Sequence, residues 1–424
     1  MKTTISAVTG LFDTNFFSYS SIVFAGGFIV NVLNYVFTLL ISRLMGVEEF
    51  GEVAALLSLL LIISVPATAL TMLMAREAAS RQDSQDGATR DLFIYLRKHV
   101  LLVAVGLWAL FLLASPLLSH LLHIPLLPFL IFSLLIPVAG LSALQSGTLQ
   151  GLQEFFSLAK QGILGAVIKL AVSIALVFAG YSVAGVMVAL VLAQLASWAY
   201  GHFATRSTLG YPANTKGSAL SGQHIRSMFG VLLLTTLLLV FLSNLDMLLA
   251  KHFLSATLAG QYGALATVGK IILFGVGAFT TVLLPMASAA HARGAGEEKR
   301  LLALSLSITA GAVVSAWAVF SFFPTAVVMV LFGARYLPIA GYLGTFAIAM
   351  GCITLAIALI NYFVAIRNTS FMYLLGLGIL LEVMFISLNH GSLGAITQML
   401  VASSAILLAL MGANYFWAHK PHTV

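Results

Sequence analysis

The first apolar part of the chain reads FSYSSIVFAGGFIVNVLNYVFTLLIS (residues 17–42) and contains no charged side chain. A helix rises about 1.5 Å per residue and the hydrocarbon core of a bilayer is about 30 Å thick, so about 20 apolar residues suffice to cross it. This run is too long for the apolar core of a signal peptide, and it starts after Asp13 and Asn15 rather than after a basic stretch. It therefore predicts a membrane-spanning helix that is retained.

Eleven further runs of the same kind follow. The twelve predicted spans, numbered in chain order, cover residues 17–42, 53–75, 93–114, 126–149, 158–179, 183–203, 229–250, 260–289, 301–323, 337–365, 371–388 and 394–417. Hydrophobic residues make up 61% of the chain and charged residues 8%, whereas about 25% of an ordinary soluble domain is charged. This composition excludes a soluble fold. We predict an all-α, polytopic membrane protein with twelve transmembrane helices.

The positions of the basic residues indicate the orientation. If the N-terminus is cytoplasmic, 15 of the 20 Lys and Arg residues lie in cytoplasmic loops, in the tails or at the cytoplasmic ends of spans, and three (Arg43, Lys251 and Arg335) lie on the other side. An excess of basic residues in short cytoplasmic loops is the usual orientation signal. It predicts that both termini are cytoplasmic, and it explains the formal charge of +7 without nucleic acid.

The chain divides between spans 6 and 7, where a loop carries Gly, Pro and Asn residues typical of a linker. We predict an N-terminal six-helix lobe (1–203), a cytoplasmic linker (204–226) and a C-terminal six-helix lobe (227–424). The third span of each lobe is followed by a proline and an outer segment that ends at another proline, at 116–128 and 324–338. This similarity indicates that the two lobes are related as a repeat. With six helices per lobe, such a repeat must be parallel, and transporters built this way bind substrate near the midplane between their halves.

Four ionisable side chains lie within predicted spans and away from their cytoplasmic ends, where they are costly and usually face the bundle interior or a water-filled cavity. Lys169, Lys270 and Glu382 fall near the midplane, and Asp246 falls in the outer third. Two interpretations remain open for them. Lys169 and Glu382, from equivalent spans, form an ion pair that holds the lobes together, or the charged groups line a cavity and contact a substrate or a coupling ion.

Span 1 carries a polar stripe at helical spacing, formed by Gly27, Asn31, Asn34, Tyr35, Thr38 and Ser42. In lipid each amide must find a partner, so this face points inward. The stripe is explained either by hydrogen bonds between helices or by contacts with sugar hydroxyls or head-group oxygens.

Other chemistry is scarce in the sequence. His120 and His123 form a lone HxxH without a third ligand, which is more often incidental than a metal site. No Walker motif, catalytic triad or metal dyad is present, so neither an enzyme nor a cofactor-dependent protein is indicated.

Four passages then carry a resemblance to a known family. They are NYVFTLLISRLMGVEEFG (34–51), LQGLQEF (149–155), SNLDMLLAKHF (243–253) followed by AGQY (259–262) and LP (284–285), and LFGARY (331–336). In this order they resemble the Wzx-like polysaccharide (oligosaccharide) flippase family, which belongs to the MOP superfamily together with the multidrug and toxin extrusion (MATE) transporters.

The resemblance implies a MATE-like fold and a flippase that moves a polyprenyl-diphosphate-linked oligosaccharide from the inner to the outer leaflet by alternating access, for surface polysaccharide biosynthesis. It implies a monomer in a bacterial or archaeal plasma (inner) membrane and no enzymatic activity. The implied ligands are the lipid-linked oligosaccharide and membrane lipids, and the implied partners are glycan polymerases or glycosyltransferases.

The resemblance also gives the polar residues candidate roles. Lys169 and Lys270 are expected to meet the phosphates, with Arg43 or Lys251 near the exit. Asn31 and Asn34 are further candidate substrate contacts. Relatives alternate between inward-open and outward-open forms, and the prolines within spans, Pro66, Pro137 and Pro285, are candidate bending points.

Two alternative functions follow from the same residues. The charges within the spans cancel, and buried carboxylates are what a proton or sodium site requires. Asp246 and Glu382 are therefore candidates for ion coupling or gating, and a cation-coupled MATE-like multidrug exporter is the first alternative. The second is a non-transporting membrane scaffold of a glycan-assembly complex.

Overall fold

The structure of the protein, a computed structural model, describes residues 14–81, 88–210, 222–273, 297–366 and 368–418. Within these ranges all regular structure is helical and no β-strand is present. The prediction of an all-α protein is confirmed.

The helices are numbered here in chain order. They are α1 (Thr14–Leu44), α2 (Val47–Ile63), α3 (Val65–Ala79), α4 (Ala88–Leu122), α5 (Leu126–Ser133), α6 (Leu135–Gly151), α7 (Phe155–Phe178), α8 (Ser182–Leu209), α9 (Gly222–Leu242), α10 (Leu245–Phe253), α11 (256–273), α12 (Glu297–Phe322), α13 (Pro324–Leu331), α14 (Leu343–Ala365), α15 (Phe371–Leu388) and α16 (Leu393–Ala418). A 3₁₀ helix, Ala334–Tyr342, leads into α14. Spans 2, 4 and 7 each consist of two consecutive helices.

Nine spans in the described part of the chain are long and apolar enough to cross a membrane. Two bent helix pairs, α2 with α3 and α9 with α10, raise the number to eleven. The remainder of predicted span 8, residues 274–289, lies outside the described residues. A polytopic membrane protein is therefore confirmed, and twelve spans are compatible with these numbers.

The bend in span 2 lies where the sequence predicts it. α2 and α3 meet at Ser64 with an angle of 40°, and Pro66 stands in the first turn of α3. Proline lacks the backbone N–H that would continue the helix, so it favours a break one turn earlier. Pro137 similarly lies in the first turn of α6, directly after the break that follows α5. Pro285 lies outside the described residues.

The chain forms two compact units. Unit 1 consists of Met1–Leu44, Ile63–His120 and Ile124–Leu233, and unit 2 consists of Met45–Ile62, Leu121–His123 and Leu234–Val424. Almost all of α2 therefore belongs to unit 2, whereas α3 belongs to unit 1.

The lobe boundaries inferred from the sequence, 1–203 and 227–424, stay a prediction. In the predicted linker 204–226, α8 continues to Leu209 and α9 begins at Gly222. The residues between them lie outside the described part of the chain, apart from Gly210.

Close helix packing in unit 1 depends on small residues. α7 packs against α1, α6 and α8, and α3 packs against α6. A Cβ atom added at Gly147 of α6 would lie 2.6 Å from the Thr71 carbonyl oxygen of α3. The Thr71 hydroxyl donates a hydrogen bond across the same contact to the Ala143 carbonyl, at 3.2 Å. Small residues allow such close backbone approach between membrane helices.

Unit 2 is built around α14, which packs against α12 and α16. α2 joins this unit through a second small-residue contact, because a Cβ atom added at Gly51 would lie 2.7 Å from the Gly260 nitrogen of α11. One residue earlier, the Phe50 ring lies 6.5 Å from the Phe332 ring and 6.0 Å from the Tyr336 ring. Backbone proximity and aromatic contacts together fix α2 to unit 2.

Candidate functional site

Lys169 occupies the middle of α7 in unit 1. Its Nζ atom donates a hydrogen bond to the Asn34 side-chain oxygen on α1 and lies 4.4 Å from the centre of the Phe37 ring. The ring face offers partial negative charge to an ammonium group, which favours this position. The polar stripe of span 1 therefore supplies both an amide and a ring to the lysine.

The helices packed most closely against the helix of Lys169 carry no opposite charge. Among the described residues α7 packs most closely against α1, α6 and α8, and none of these four helices contains an acidic residue. One turn beyond Lys169, the buried Ser173 hydroxyl has no hydrogen-bond partner among the described residues, and the Tyr35 hydroxyl of α1 also has none. An ammonium group and two unpartnered hydroxyls make this part of unit 1 rich in donors.

Two other candidate residues of span 1 lie away from this contact. Asn31 is exposed one turn before Asn34, and a Cβ atom added at Gly27 would meet only open space. Arg43 is exposed in the last turn of α1. Asn34 is thus the member of the predicted substrate contacts that the structure brings to Lys169.

The second group of polar residues lies in unit 2 at the break of span 7. α9 and α10 meet at an angle of 46°, and the break falls at Ser243 and Asn244. The Ser243 hydroxyl donates to the Leu239 carbonyl at 3.0 Å, and the Asn244 Nδ2 atom donates to the Val240 carbonyl at 2.9 Å. Such side-chain bonds to the preceding turn compete with the helical pattern and end α9 without a proline.

Two buried carboxylates lie next to this break. Asp246, in the first turn of α10, is 3% exposed and accepts a hydrogen bond from the Tyr262 hydroxyl of α11 at 2.8 Å. Glu382 of α15 is 1% exposed. One oxygen of each, Asp246 Oδ1 and Glu382 Oε1, has no hydrogen-bond partner among the described residues. The two carboxylates are close enough for their charges to interact.

Lys270 of α11 completes the group. Its Nζ atom donates to Asn244 Oδ1 at 2.8 Å, and its charge interacts with that of Asp246. In the described chain the two do not form an ion pair at contact distance. Lys270, Asp246, Glu382, Asn244 and Tyr262 therefore form one buried polar group, here called the unit 2 group.

The structure thus divides the predicted intramembrane charges between two places. Lys169 lies in unit 1 with Asn34, whereas Asp246, Lys270 and Glu382 lie together in unit 2. Pairing of Lys169 with Glu382 stays a prediction.

Three residues of these sites were not singled out in the sequence. Phe37 looks like an ordinary apolar residue of span 1, and only its position three residues after Asn34 connects it with the polar stripe. Tyr262 belongs to a quoted motif but gives no sign of its partner. Asn244 offered the clearest signal, because an asparagine two residues before a buried aspartate marks an irregular point in an apolar span.

The arrangement suits charge recognition rather than catalysis. In the described part of the chain no group of three or more His, Cys, Asp and Glu side chains is placed to hold a metal ion. The unit 1 site offers donors to an anion. The unit 2 group offers free carboxylate oxygens to a cation or a proton.

Comparisons with known proteins agree with this architecture. The family model described as "Polysaccharide biosynthesis protein" matches residues 18–291. A comparison with curated protein sequences gives no match.

Solved structures of MOP transporters share the fold. An inward-facing multidrug resistance MATE transporter is 14% identical, with a TM-score of 0.75 over 93% of this chain and 96% of that one. The lipid II flippase MurJ, in an inward closed conformation, is 13% identical, with a TM-score of 0.74 over 93% of this chain and 87% of that one. A MOP transporter from Pyrococcus furiosus, whose binding pocket is described as reversed in polarity, is 14% identical, with a TM-score of 0.64 over 94% of each chain. At these identities the likeness shows the fold.

Proposed function

This chain belongs to the polysaccharide biosynthesis protein family, and from that premise we propose that it moves a polyprenyl-diphosphate-linked oligosaccharide from the inner to the outer leaflet by alternating access. It is a multi-pass membrane transporter rather than an enzyme. The proposal concerns the substrate, the direction and the use of the product in surface polysaccharide biosynthesis.

One observation supports the choice of substrate: among the described residues, the helix of Lys169 and the three helices packed most closely against it contain no acidic residue. A diphosphate cannot cross hydrocarbon unless positive charge and hydrogen-bond donors replace its water. A cationic drug would instead require a carboxylate, and the described helices around Lys169 offer none. The unit 1 site therefore favours an anionic head group.

Asn34 has a supporting role in this proposal. Its side-chain oxygen accepts a bond from Lys169, so its amide nitrogen remains available to a phosphate or sugar oxygen. Asn31, exposed one turn away, extends the same face, and exposed Arg43 lies at the end of α1. Lys270 contributes less to phosphate binding, because its charge is already offset by that of Asp246.

The unit 2 group favours coupling to an ion gradient. Asp246 and Glu382 each hold a buried oxygen without a partner in the described chain, and buried ionisable groups of membrane transporters mark ion pathways. We therefore assign ion coupling or gating to these two residues, with a proton or a sodium ion. The same observation is what supports the second candidate, a cation-coupled multidrug exporter.

The remaining parts of the proposal concern the cell. From the excess of basic residues on one side we infer that both termini are cytoplasmic, and from the family we infer a bacterial or archaeal plasma (inner) membrane. We expect a monomer that works beside a glycan polymerase or glycosyltransferases. The third candidate function is that of a membrane scaffold in such a complex, which requires no transport.

The test is transport of a fluorescent polyprenyl-diphosphate oligosaccharide in proteoliposomes, with Lys169→Ala and Lys169→Arg. We expect Lys169→Ala to lower the flipping rate at least about tenfold, which corresponds to about 1.4 kcal/mol of lost interaction. Lys169→Arg keeps the charge and retains a measurable part of the rate. Lys160→Ala is the matched control, because Lys160 is exposed on the same helix and stacks only on Phe156.

Three results would contradict the proposal. Full flipping by Lys169→Ala would remove Lys169 from phosphate binding. Export of cationic dyes by the wild type, without flipping of the lipid-linked sugar, would establish the exporter instead. Wild-type protein that transports neither compound, yet restores surface glycan in cells, would establish the scaffold.

A further inference from the structure

We propose that the unit 2 group binds a single proton and that Lys270 is a tethered cation that excludes sodium from it. The inference rests on the proposed function, since it names the coupling ion of that transport cycle. It also gives Lys270 a role different from that of a phosphate contact.

The unit 2 group contains four titratable residues. Asp246 on α10, Tyr262 and Lys270 on α11, and Glu382 on α15 are the titratable residues that act on one another. No other charged side chain of the described chain interacts with these carboxylates. With Lys270 charged and both carboxylates ionised, the group holds one negative charge in excess.

The side-chain amide of Asn244 has its orientation fixed by two hydrogen bonds. Its Nδ2 atom donates to the Val240 carbonyl at 2.9 Å, so its Oδ1 atom must face Lys270, which donates to it at 2.8 Å. Both ends of the amide are used. A sodium ion bound to this oxygen would lie beside the ammonium group, whose positive charge repels it.

The backbone carbonyls at the break of span 7 are the other groups that could bind sodium. In transporters with broken helices, the carbonyls freed by the break usually coordinate sodium. Here the Ser243 hydroxyl occupies the Leu239 carbonyl at 3.0 Å, and Asn244 occupies the Val240 carbonyl. Three carbonyls of the last turn before the break are therefore already hydrogen-bonded, because the Asn244 backbone N–H also donates to the Phe241 carbonyl at 3.2 Å.

A proton meets none of these obstacles. It forms an O–H bond with one of the two unpartnered oxygens, Asp246 Oδ1 or Glu382 Oε1, and leaves the group without net charge. Tyr262 donates to the other Asp246 oxygen at 2.8 Å and so keeps Oδ1 free. A buried group without net charge is much less costly than one with an unpaired charge. In one cycle the proton is taken from one aqueous side and released to the other.

The test separates the two ions by their gradients. Wild-type protein and Lys270→Met are reconstituted with the fluorescent lipid-linked oligosaccharide, and flipping is followed under an imposed pH gradient or an imposed sodium gradient. We expect the wild type to respond at least fivefold to the pH gradient and not to sodium. Lys270→Met leaves two carboxylates without their cation, so its flipping should rise at least threefold with sodium and not with potassium.

A binding measurement without transport provides the second readout. Sodium should raise the Tm of purified Lys270→Met above its value in potassium at equal ionic strength, and should leave that of the wild type unchanged. Lys270→Arg retains a tethered cation and should behave as the wild type. Lys160→Met controls for the removal of a lysine from a helix, and its Tm should not respond to sodium. In the Lys270→Met background, Asp246→Asn should abolish the sodium effect.

The outcomes are distinguishable from failure of the proposed function. If the wild type flips the lipid under a sodium gradient and not under a pH gradient, the proton assignment is overturned while the flippase stands. Sodium stabilisation of the wild type has the same meaning. If no gradient supports flipping of the lipid by any variant, the proposed function itself fails.

Discussion

Each unit holds a lysine whose ammonium group donates to an asparagine from the first span of its half of the chain, Asn34 for Lys169 and Asn244 for Lys270. The neighbours of the two pairs differ. Helices without acidic residues surround Lys169, whereas Lys270 interacts with Asp246, which in turn interacts with Glu382. The same contact can thus leave a positive charge available to an anion or neutralise it, and the carboxylates decide which.

The strongest test of this difference between the two lysines is to give unit 1 a carboxylate of its own. Ser173 lies one turn from Lys169 on α7, and its buried hydroxyl has no partner in the described chain. Ser173→Asp should neutralise Lys169 and lower flipping at least about tenfold, the effect also expected for Lys169→Ala. Flipping in proteoliposomes measures the effect.

Ser173→Asn is the matched control, because it adds similar volume without charge. It should retain most of the rate. A loss in Ser173→Asn equal to that in Ser173→Asp would show that volume rather than charge is responsible.

The two asparagines provide the second test. Asn34→Leu should lower flipping about fivefold and leave the dependence on ion gradients unchanged, since the unit 2 group is intact. Asn244→Leu should change that dependence, because Lys270 loses its acceptor at 2.8 Å. It should also destabilise the protein by about 1–3 kcal/mol, since the half-buried ammonium group of Lys270 loses its acceptor.

Thermal unfolding and gradient-driven flipping together measure both variants. Identical behaviour of Asn34→Leu and Asn244→Leu in the two assays would contradict a division of labour between the sites.

A smaller effect is expected from the aromatic ring below Lys169. Phe37→Leu removes a ring whose centre lies 4.4 Å from the ammonium nitrogen, and such contacts contribute about 0.5–1 kcal/mol. Flipping should fall about two- to fivefold. Phe37→Tyr keeps the ring and should behave as the wild type. Equal losses in both variants would assign Phe37 to packing alone.

The smallest effect is expected outside the two sites. Glu77 and Arg81 form an ion pair of 2.9 Å in successive turns at the end of α3, and both side chains are partly exposed. Surface pairs of this kind contribute about 0–1 kcal/mol. Glu77→Gln should therefore leave both flipping and its gradient dependence unchanged. A changed gradient dependence would show that carboxylates outside the unit 2 group participate in coupling.

The spans and most polar residues of the sites could be predicted because they depend on local properties. Length and hydropathy identify a membrane helix, and Lys169 and Asn34 stand out because an apolar run rarely contains them. The bend at Pro66 was predictable for the same reason, since proline alone is sufficient to break a helix.

Contacts between distant positions could not be predicted. The break of span 7 contains no proline and arises from bonds of Ser243 and Asn244 to the preceding turn, which the residue types allow but do not require. The proximity of Asp246 and Lys270 depends on how α10 and α11 pack, and no spacing in the sequence reports it. The grouping of Asp246, Lys270 and Glu382 was therefore beyond the sequence.

The division of span 2 has a consequence for motion. α2 is fixed to unit 2 by the close approach of Gly51 to Gly260, whereas α3 is fixed to unit 1 by the approach of Gly147 to Thr71. Covalent continuity then requires that any displacement of one unit relative to the other changes the backbone torsion angles around Ser64.

Pro66 makes this an inexpensive place for such a change. Because its nitrogen carries no hydrogen, the Ile62 carbonyl has no helical partner there to lose. A change of angle between α2 and α3 can therefore be taken up by a few dihedral angles, while the packed surfaces on either side keep their neighbours.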